Sequence, residues 1–281
     1  MESWEFSQLF YVTWREIMKN GEILAGIKSA DMVLVGLGEE FNDEKKLREL
    51  PEYTQGRELL QEAGYHWLQP AWNEYCLNKI GGEYIKSVLE KLAVLLEDKN
   101  YFVVTTSTNK MIAEIPWKKD RLVMPCGSIL KKQCVKGCAG IVDNVNEEDE
   151  NFMNECFDSL YSGIFPKNEE MKLGNCPKCG KNMVFNNIFA ESYNEAGYTE
   201  QWQMYTRWLQ GTLNRKLIVL ELGVNMRFPS VIRWPFEKVV FFNNKAMLIR
   251  VNENLYQLTE ELSGKGCGIP QNAIEWLKTL C

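Results

Sequence analysis

Histidine is almost absent from this chain, which has a single one, His66, in 281 residues. A Ser/His/Asp hydrolase needs a histidine base, and most zinc enzymes need several histidine ligands, so both classes are disfavoured. His66 lies between Tyr65 and Trp67 in a stretch with helical character, and we interpret it as a packed or surface residue. The chain must therefore do its chemistry, if it does any, with other side chains.

Basic charge and long apolar runs are also lacking. The 32 Lys and Arg residues are outnumbered by 38 Asp and Glu residues, which leaves a net charge of -6. Nucleic-acid binding requires a basic surface, so no nucleic-acid partner is expected. No run of about 18 apolar residues is present, and the acidic start Met-Glu-Ser-Trp-Glu does not resemble a signal peptide. We expect a cytoplasmic protein without a membrane partner.

What the sequence does contain is an alternation of buried strands and helices. An apolar run ends in a Gly-x-Gly turn, a long helical stretch of about 43–99 follows, and a second apolar run comes next. A strand, a helical crossover and another strand predict a parallel sheet in an α/β fold. The predicted strands cover residues 30–37, 101–106, 217–223 and 246–252, and the predicted helices cover 84–96, 202–213 and a final segment opened by Pro270.

Nine cysteines without a secretory signal favour thiols or metal ligands over disulfides. Two pairs have the spacing of metal ligands: Cys134 with Cys138, and Cys176 with Cys179. Four thiolates without histidine would form a closed tetrahedral zinc site of structural type, the alternative being four unliganded buried thiols. The acidic run 146–151 between the pairs is predicted to be a solvated loop. We interpret the remaining unclustered cysteines as packing residues: Cys76, Cys156, Cys267 and Cys281.

The turn after the first strand carries conflicting signals. Gly36 and Gly38 would let backbone amides approach a pyrophosphate, as in dinucleotide-binding folds. The third glycine of that fingerprint is replaced by Phe41, and Glu39 and Glu40 follow directly. A carboxylate about 5 Å from a phosphate costs about 1 kcal/mol in water-like surroundings and about 3 kcal/mol at an effective dielectric near 20. The residues alone leave nucleotide binding open.

The order of these features resembles the sirtuin (Sir2) family, and most closely its macrodomain-linked class M branch. The segments that carry the resemblance are 27–36, Gln133-Cys134, Cys176-Pro-Lys-Cys179-Gly and 220–236. It implies a Rossmann-like NAD-binding domain at 25–125 and 200–281, with a helical insertion at about 43–99. It also implies a zinc-binding module at 126–199 and leaves a helical extension at 1–24. Class M members are known for protein mono-ADP-ribosylation.

Position by position, the resemblance assigns roles and also exposes departures. Ser107 stands where the family has a nicotinamide-side asparagine, Asn109 stands at its aspartate, and Cys126 stands at its catalytic histidine. The zinc ligands would be Cys134, Cys138, Cys176 and Cys179. The implied cofactor-binding residues are Gly36, Gly38, Thr105, Gly223, Val224, Asn252 and Cys267.

Three functions follow as hypotheses. The first is an NAD-dependent transferase with altered catalytic residues, in which ADP-ribosyl transfer to an acceptor protein is favoured over deacylation. The second is a catalytically silent module that binds NAD, ADP-ribose or a protein partner. The third is a zinc-stabilised interaction protein without a nucleotide. Cys126 is a poor substitute for a histidine base, because a thiol with a reference pKa near 8.5 is mostly protonated at neutral pH.

Overall fold

The fold was derived from a computed structural model that describes residues 19–165 and 171–280. Most of the predicted helical extension 1–24 lies before residue 19 and so falls outside the described residues. Of the predicted extension 1–24, the described part begins with helix α1 at Asn20. Cys281 also lies outside the described residues.

A six-stranded parallel sheet forms the larger part of the fold, in the order β3-β2-β1-β7-β8-β9. Its register places Leu34 between Phe102 and Val219, so the three predicted apolar runs are neighbouring strands. Strands β1 and β7 are buried along their whole length because helices cover both faces of the sheet. The strands are β1 Met32–Leu37, β2 Asn100–Thr105, β3 Leu122–Val123, β7 Leu217–Leu222, β8 Ala246–Val251 and β9 Gly266–Ile269.

The strand order reverses direction between β1 and β7. From β1 the chain moves to β2 and β3 on one side, and it later returns to β7, β8 and β9 on the other. At such a reversal in open α/β sheets the loops of the two halves diverge, and ligands bind beyond the carboxyl ends of the strands. We call this edge of the sheet the cleft. The predicted α/β fold with a parallel sheet is confirmed.

Ten α-helices lie within the described residues. The stretch between β1 and β2 is helical, as predicted, and α5 buries Ile85, Leu89 and Leu92 on one face. The helices are α1 Asn20–Ser29, α2 Glu44–Leu47, α3 Pro51–Glu62, α4 Gln69–Lys79, α5 Glu83–Leu95, α6 Lys110–Glu114, α7 Glu147–Tyr161, α8 Thr199–Gln210, α9 Arg233–Phe242 and α10 Ala273–Leu280. Within the same residues no helix is both long and apolar enough to cross a bilayer.

A second, antiparallel sheet lies within residues 126–199, in the order β5-β4-β6. Its strands are β4 Gly127–Cys134, β5 Val142–Asn144 and β6 Met183–Asn187. The register of β4 against β6 shifts between Ser128 and Lys132, which is a bulge-type irregularity. This sheet carries Cys134 at its end. The exact domain limits remain a prediction.

Two local predictions are wrong. The acidic run 146–151 is not a loop but begins helix α7, where Asn146 and Asp149 form a capping box. Its acidic residues occupy the first turn, where the helix dipole favours negative charge. Pro270 does not open the last helix, because Asn272 caps it instead and accepts from the Ile274 N–H at 3.0 Å.

Candidate functional site

The two glycine turns at the sheet reversal are in direct backbone contact. The Gly38 N–H donates to the Leu222 carbonyl at 2.8 Å, and the Glu40 N–H donates to the Gly223 carbonyl at 3.2 Å. A Cβ on Gly38 would overlap the Gly223 carbonyl oxygen and the Cα of Val224. Gly223 itself has φ +64°, a conformation that favours glycine. The chain therefore needs Gly38 and Gly223 to bring β1 and β7 together at this edge.

Packing requires a glycine at position 36, and the role of Gly36 in cofactor binding stays a prediction. A Cβ there would come within 2.6 Å of Ile232 and 2.8 Å of Phe236, both of which are buried beneath the sheet edge. The first glycine of Gly-x-Gly thus permits the close approach of α9 to β1. It is a packing residue in the described fold.

A buried ionic cluster supports the turn after β7. The Arg233 guanidinium donates to the carbonyls of Val224 and Leu255 at 3.1 and 2.8 Å and lies 3.0 Å from Glu221. Glu221 also accepts two hydrogen bonds from Arg250, at 2.8 and 2.9 Å. Sequence reasoning missed this cluster, although a glutamate inside the apolar strand β7 was a visible signal. A charge buried in a sheet requires a buried partner.

Glu39 and Glu40 turn inward at this edge. One Glu40 oxygen accepts the Ala273 N–H at 2.7 Å and the other accepts the Glu253 N–H at 3.2 Å. Burial raises the pKa of Glu40, and these two hydrogen bonds oppose the rise. One Glu39 oxygen accepts the Asn225 N–H at 3.1 Å, whereas the other is buried without a hydrogen-bond partner among the described residues. Both carboxylates that follow the Gly-x-Gly turn therefore accept hydrogen bonds from backbone amides.

The predicted nicotinamide-side residues come together at the end of β2. The Thr105 hydroxyl donates to the Leu37 carbonyl at 2.9 Å, and the Ser107 hydroxyl donates to Asn42 at 2.5 Å. Asn109 caps α6 by accepting the Met111 N–H at 2.9 Å, and its amide nitrogen contacts the Phe41 carbonyl at 3.4 Å. These side chains lie together near the glycine turn, but their hydrogen-bonding groups are engaged within the protein.

Cys126 is buried just before β4, beside the same cleft. Burial raises the pKa of its thiol to about 12, the negative charge of Glu39 adds to the rise, and Arg227 opposes it. At neutral pH the sulfur therefore keeps its proton. A protonated buried thiol is neither a nucleophile nor a general base.

The predicted cofactor-binding residues Asn252 and Cys267 lie in two different places. Asn252 directly follows β8, where its side-chain N–H donates to the Val224 carbonyl at 3.1 Å. Its oxygen accepts from the Asn254 and Leu255 amides at 2.9 and 2.7 Å, so it fixes the loop. Cys267 lies within β9, opposite Ile249, and not at the carboxyl end of that strand.

The four paired cysteines converge on one point. The sulfur atoms of Cys134, Cys138, Cys176 and Cys179 lie within 4.8 Å of one another. Tetrahedral Zn²⁺ with Zn–S bonds of about 2.3 Å separates its sulfurs by about 3.8 Å, so this spacing fits a zinc ion. Gly180 follows the second pair at φ +70°, a conformation that favours glycine in the tight turn.

Two of the unclustered cysteines are buried, as predicted for packing residues. Cys76 and Cys156 are buried in the main core. Burial raises the pKa of Cys76 to about 12, which is typical of an inert packing thiol.

Glu74 is a functional candidate that the sequence did not reveal. It is 3% exposed, and one of its oxygens accepts the Lys110 N–H at 2.9 Å. The Lys110 ammonium lies 3.8 Å from the other oxygen. Burial raises the pKa of Glu74 to about 7. Through Lys110 this carboxyl anchors the start of α6, directly after Asn109.

Solved structures share this architecture. A Sir2 structure with a propionylated peptide matches with a TM-score of 0.52 at 13% identity, covering 94% of this chain and 97% of that one. A variant Sir2 homologue in complex with ADP-ribose matches with a TM-score of 0.53 at 11% identity, covering 94% and 95% of the two chains. The chain has the Sir2 fold.

Two curated relatives are named for ADP-ribose chemistry. A probable bifunctional ADP-ribose hydrolase/ADP-ribosyltransferase of Fusarium oxysporum f. sp. cubense is 29% identical over 153 residues, which is 53% of this chain and 25% of that protein. A protein ADP-ribosyltransferase of Staphylococcus aureus (strain Mu50) is 22% identical over 276 residues, covering 88% of this chain and 82% of it. No protein-family model matches the chain.

Proposed function

We propose that this Sir2-fold protein binds NAD or ADP-ribose across the carboxyl ends of β1 and β7, and that its chemistry on NAD is ADP-ribosyl transfer to an acceptor protein. The observation that carries the proposal is the meeting of the Gly38 and Gly223 turns with Asn252 at the sheet reversal. This is the region where open α/β sheets take a dinucleotide. A solved Sir2 homologue with the same fold is a complex with ADP-ribose.

Deacylation is the less favoured chemistry. The family resemblance assigns that reaction a base that activates a ribose hydroxyl, and Cys126 stands at the position of that base. With its pKa at about 12, Cys126 retains its proton and cannot remove one from a ribose. Cleavage of the bond between nicotinamide and ribose needs less proton transfer, because orientation and electrostatics can stabilise its oxocarbenium-like state. The names of both curated relatives also support ADP-ribosyl transfer.

The chain spans a quarter of the length of the Fusarium relative and about four fifths of the Staphylococcus relative. Its activity, substrates and acceptor are therefore inferred from its own residues first. We propose that zinc, held by Cys134, Cys138, Cys176 and Cys179, has a structural role. Four protein sulfurs leave no coordination position for a substrate.

A silent ADP-ribose-binding module is the second candidate, and one observation favours it. The side chains of Ser107 and Asn109 already make hydrogen bonds within the protein. In a working nicotinamide site such groups would be available to orient the leaving group. A module that only binds ADP-ribose has no need of that orientation.

The test combines binding and turnover. Calorimetry with ADP-ribose measures occupancy of the cleft, and chromatography of nicotinamide released from NAD, with mixed acceptor proteins present, measures turnover. We expect binding and slow release, with Ser107→Ala lowering release by about tenfold while ADP-ribose affinity is unchanged, because ADP-ribose has no nicotinamide. Thr206→Ala, which removes an exposed hydroxyl on α8, is the matched control.

Binding without nicotinamide release would replace the transferase with the silent module. Absence of ADP-ribose binding would contradict the proposed function itself.

A further inference from the structure

Three backbone amides from three different loops donate hydrogen bonds to the same pair of neighbouring side chains. The Asn225 N–H, after β7, reaches Glu39, whereas the Glu253 N–H, after β8, and the Ala273 N–H, at the start of α10, reach Glu40. All three donors lie at the carboxyl edge of the parallel sheet. The carboxylates thus join four separate segments of the chain at one place.

Amides of this kind are anion-binding groups in α/β folds. N–H groups at strand ends and at a helix amino terminus, where the dipole is positive, are the donors that such folds offer to a diphosphate. A carboxylate oxygen is an anionic acceptor like a phosphate oxygen, so it satisfies the same donors. Glu40, held on the first amide of α10, has the charge and position of a bound anion.

The Glu40 side chain packs closely against Gly223. A Cβ on Gly223 would lie 2.6 Å from the Cβ of Glu40, so the glycine leaves just the room that this side chain fills. Among the residues that the structure describes, no Lys or Arg nitrogen forms an ion pair with Glu39 or Glu40, because the nearby Lys45 pairs with Glu253 at 2.8 Å. Backbone N–H groups are therefore the main stabilisers of both carboxylates.

We propose that Glu39 and Glu40 are internal anions that occupy the phosphate-binding amides of the cleft, and that Glu40 determines which ligands the cleft admits. The proposal rests on the proposed function in taking this cleft as the ADP-ribose site. A ligand with a diphosphate must displace Glu40 from Ala273 and Glu253, whereas a nucleoside without phosphate need not. Glu40 would thus weaken the binding of free diphosphate to this edge.

The test compares wild type with Glu40→Ser, Glu40→Gln and the control Glu49→Ser. The control removes one exposed carboxylate from the same segment, so it matches the change in net charge. Glu40→Gln keeps the side-chain shape and one acceptor oxygen. It replaces Glu40→Ser in the comparison if circular dichroism shows that the serine variant folds poorly. The probes are inorganic pyrophosphate, ADP-ribose and adenosine, each titrated by calorimetry.

We expect Glu40→Ser to bind pyrophosphate and ADP-ribose at least about tenfold more tightly than wild type, since one like charge is removed. Glu40→Gln should lie between the two, Glu49→Ser should match wild type, and adenosine should not distinguish the variants. If Glu40→Ser or Glu40→Gln gains no affinity for pyrophosphate, the internal-anion proposal is overturned.

The outcomes separate this inference from the proposed function. ADP-ribose binding that is equally tight in wild type and in both Glu40 variants overturns the inference and leaves the function standing. Binding by the Glu40 variants alone supports the inference and removes ADP-ribose binding from the natural chain. No binding of any probe by any variant overturns both.

Discussion

The cysteine cluster and the glycine-turn cleft differ in what their polar groups face. The four sulfurs converge within 4.8 Å of one another around a common point, which is the geometry of ligands around an ion. In the cleft the polar groups face each other: Ser107 bonds Asn42, Asn252 bonds its own loop, and Glu40 accepts amides from two loops. The ligand atoms of the first site face one common point, whereas the donors and acceptors of the second face one another, with one Glu39 oxygen as the exception.

This difference shows that having the residue types of a binding site does not ensure that their polar groups are free to bind a ligand. A binding site must offer groups whose hydrogen bonds or coordination positions are unfilled, because a group that is already paired must lose one interaction to gain another. The cysteine module meets that requirement because its four sulfurs converge on a single point. The cleft meets it only after its internal partners are displaced.

Removal of the metal should give the largest loss of stability. A small loss would contradict the contrast drawn between the cysteine cluster and the cleft. We expect one zinc per chain, and we expect chelation or Cys176→Ser to abolish zinc binding and to unfold the module, since structural zinc contributes on the order of 10 kcal/mol in small zinc domains. Metal content by mass spectrometry and thermal unfolding are the measurements. The matched control is Cys126→Ser, which changes a buried cysteine outside the cluster and should retain the metal.

The ionic support of the cleft should give the next effect. Arg233→Met leaves the buried Glu221 with one partner fewer and frees the Val224 carbonyl, so we expect unfolding free energy to fall by about 3 kcal/mol. Denaturant unfolding measures the loss. Lys45→Met, which breaks an exposed pair with Glu253, should be indistinguishable from wild type. Equal stability of the two variants would mean that the turn after β7 needs no buried support.

A smaller, pH-dependent effect should come from Glu74, which anchors the segment after Asn109. Its folded pKa of about 7 exceeds the ordinary value of 4.5, so the folded state binds the proton more tightly than the unfolded state. Unfolding free energy should therefore decrease as pH rises from about 5 to 8, by up to about 3 kcal/mol from this group.

The pH prediction is checked by denaturant unfolding at four values between pH 5 and 8. Glu74→Gln should flatten the profile, whereas Glu150→Gln, a half-exposed carboxyl near the same lysine, should leave it unchanged. A profile that rises toward pH 8, or one that Glu74→Gln does not alter, would contradict this role.

Local patterns predicted most of the framework. Apolar runs long enough for one strand gave β1, β2, β7 and β8, and the cysteine spacing gave the four-sulfur cluster, because each of these signals lies in a short stretch of chain. The same reasoning misplaced the acidic run, since the capping interaction of Asn146 with Asp149 makes a charged segment a good helix start.

The state of the cleft could not be predicted from the sequence, because it depends on groups far apart in the chain. Glu40 is paired with Glu253 and Ala273, and Glu74 is buried beneath Lys110; no spacing rule connects these positions. Gly36 illustrates the same limit, since the side chain that approaches it, Phe236, is 200 residues away in the sequence. The sequence shows that Glu39 and Glu40 are adjacent to the glycine turn, but only the tertiary structure shows which backbone amides bind their carboxylates.

The contact between the Gly38 and Gly223 turns also has a consequence for the ligand proposed above. The amides of Gly38 and Glu40 already donate to the carbonyls of Leu222 and Gly223. A diphosphate at this edge would therefore be bound by amides of the neighbouring loops and not by these two.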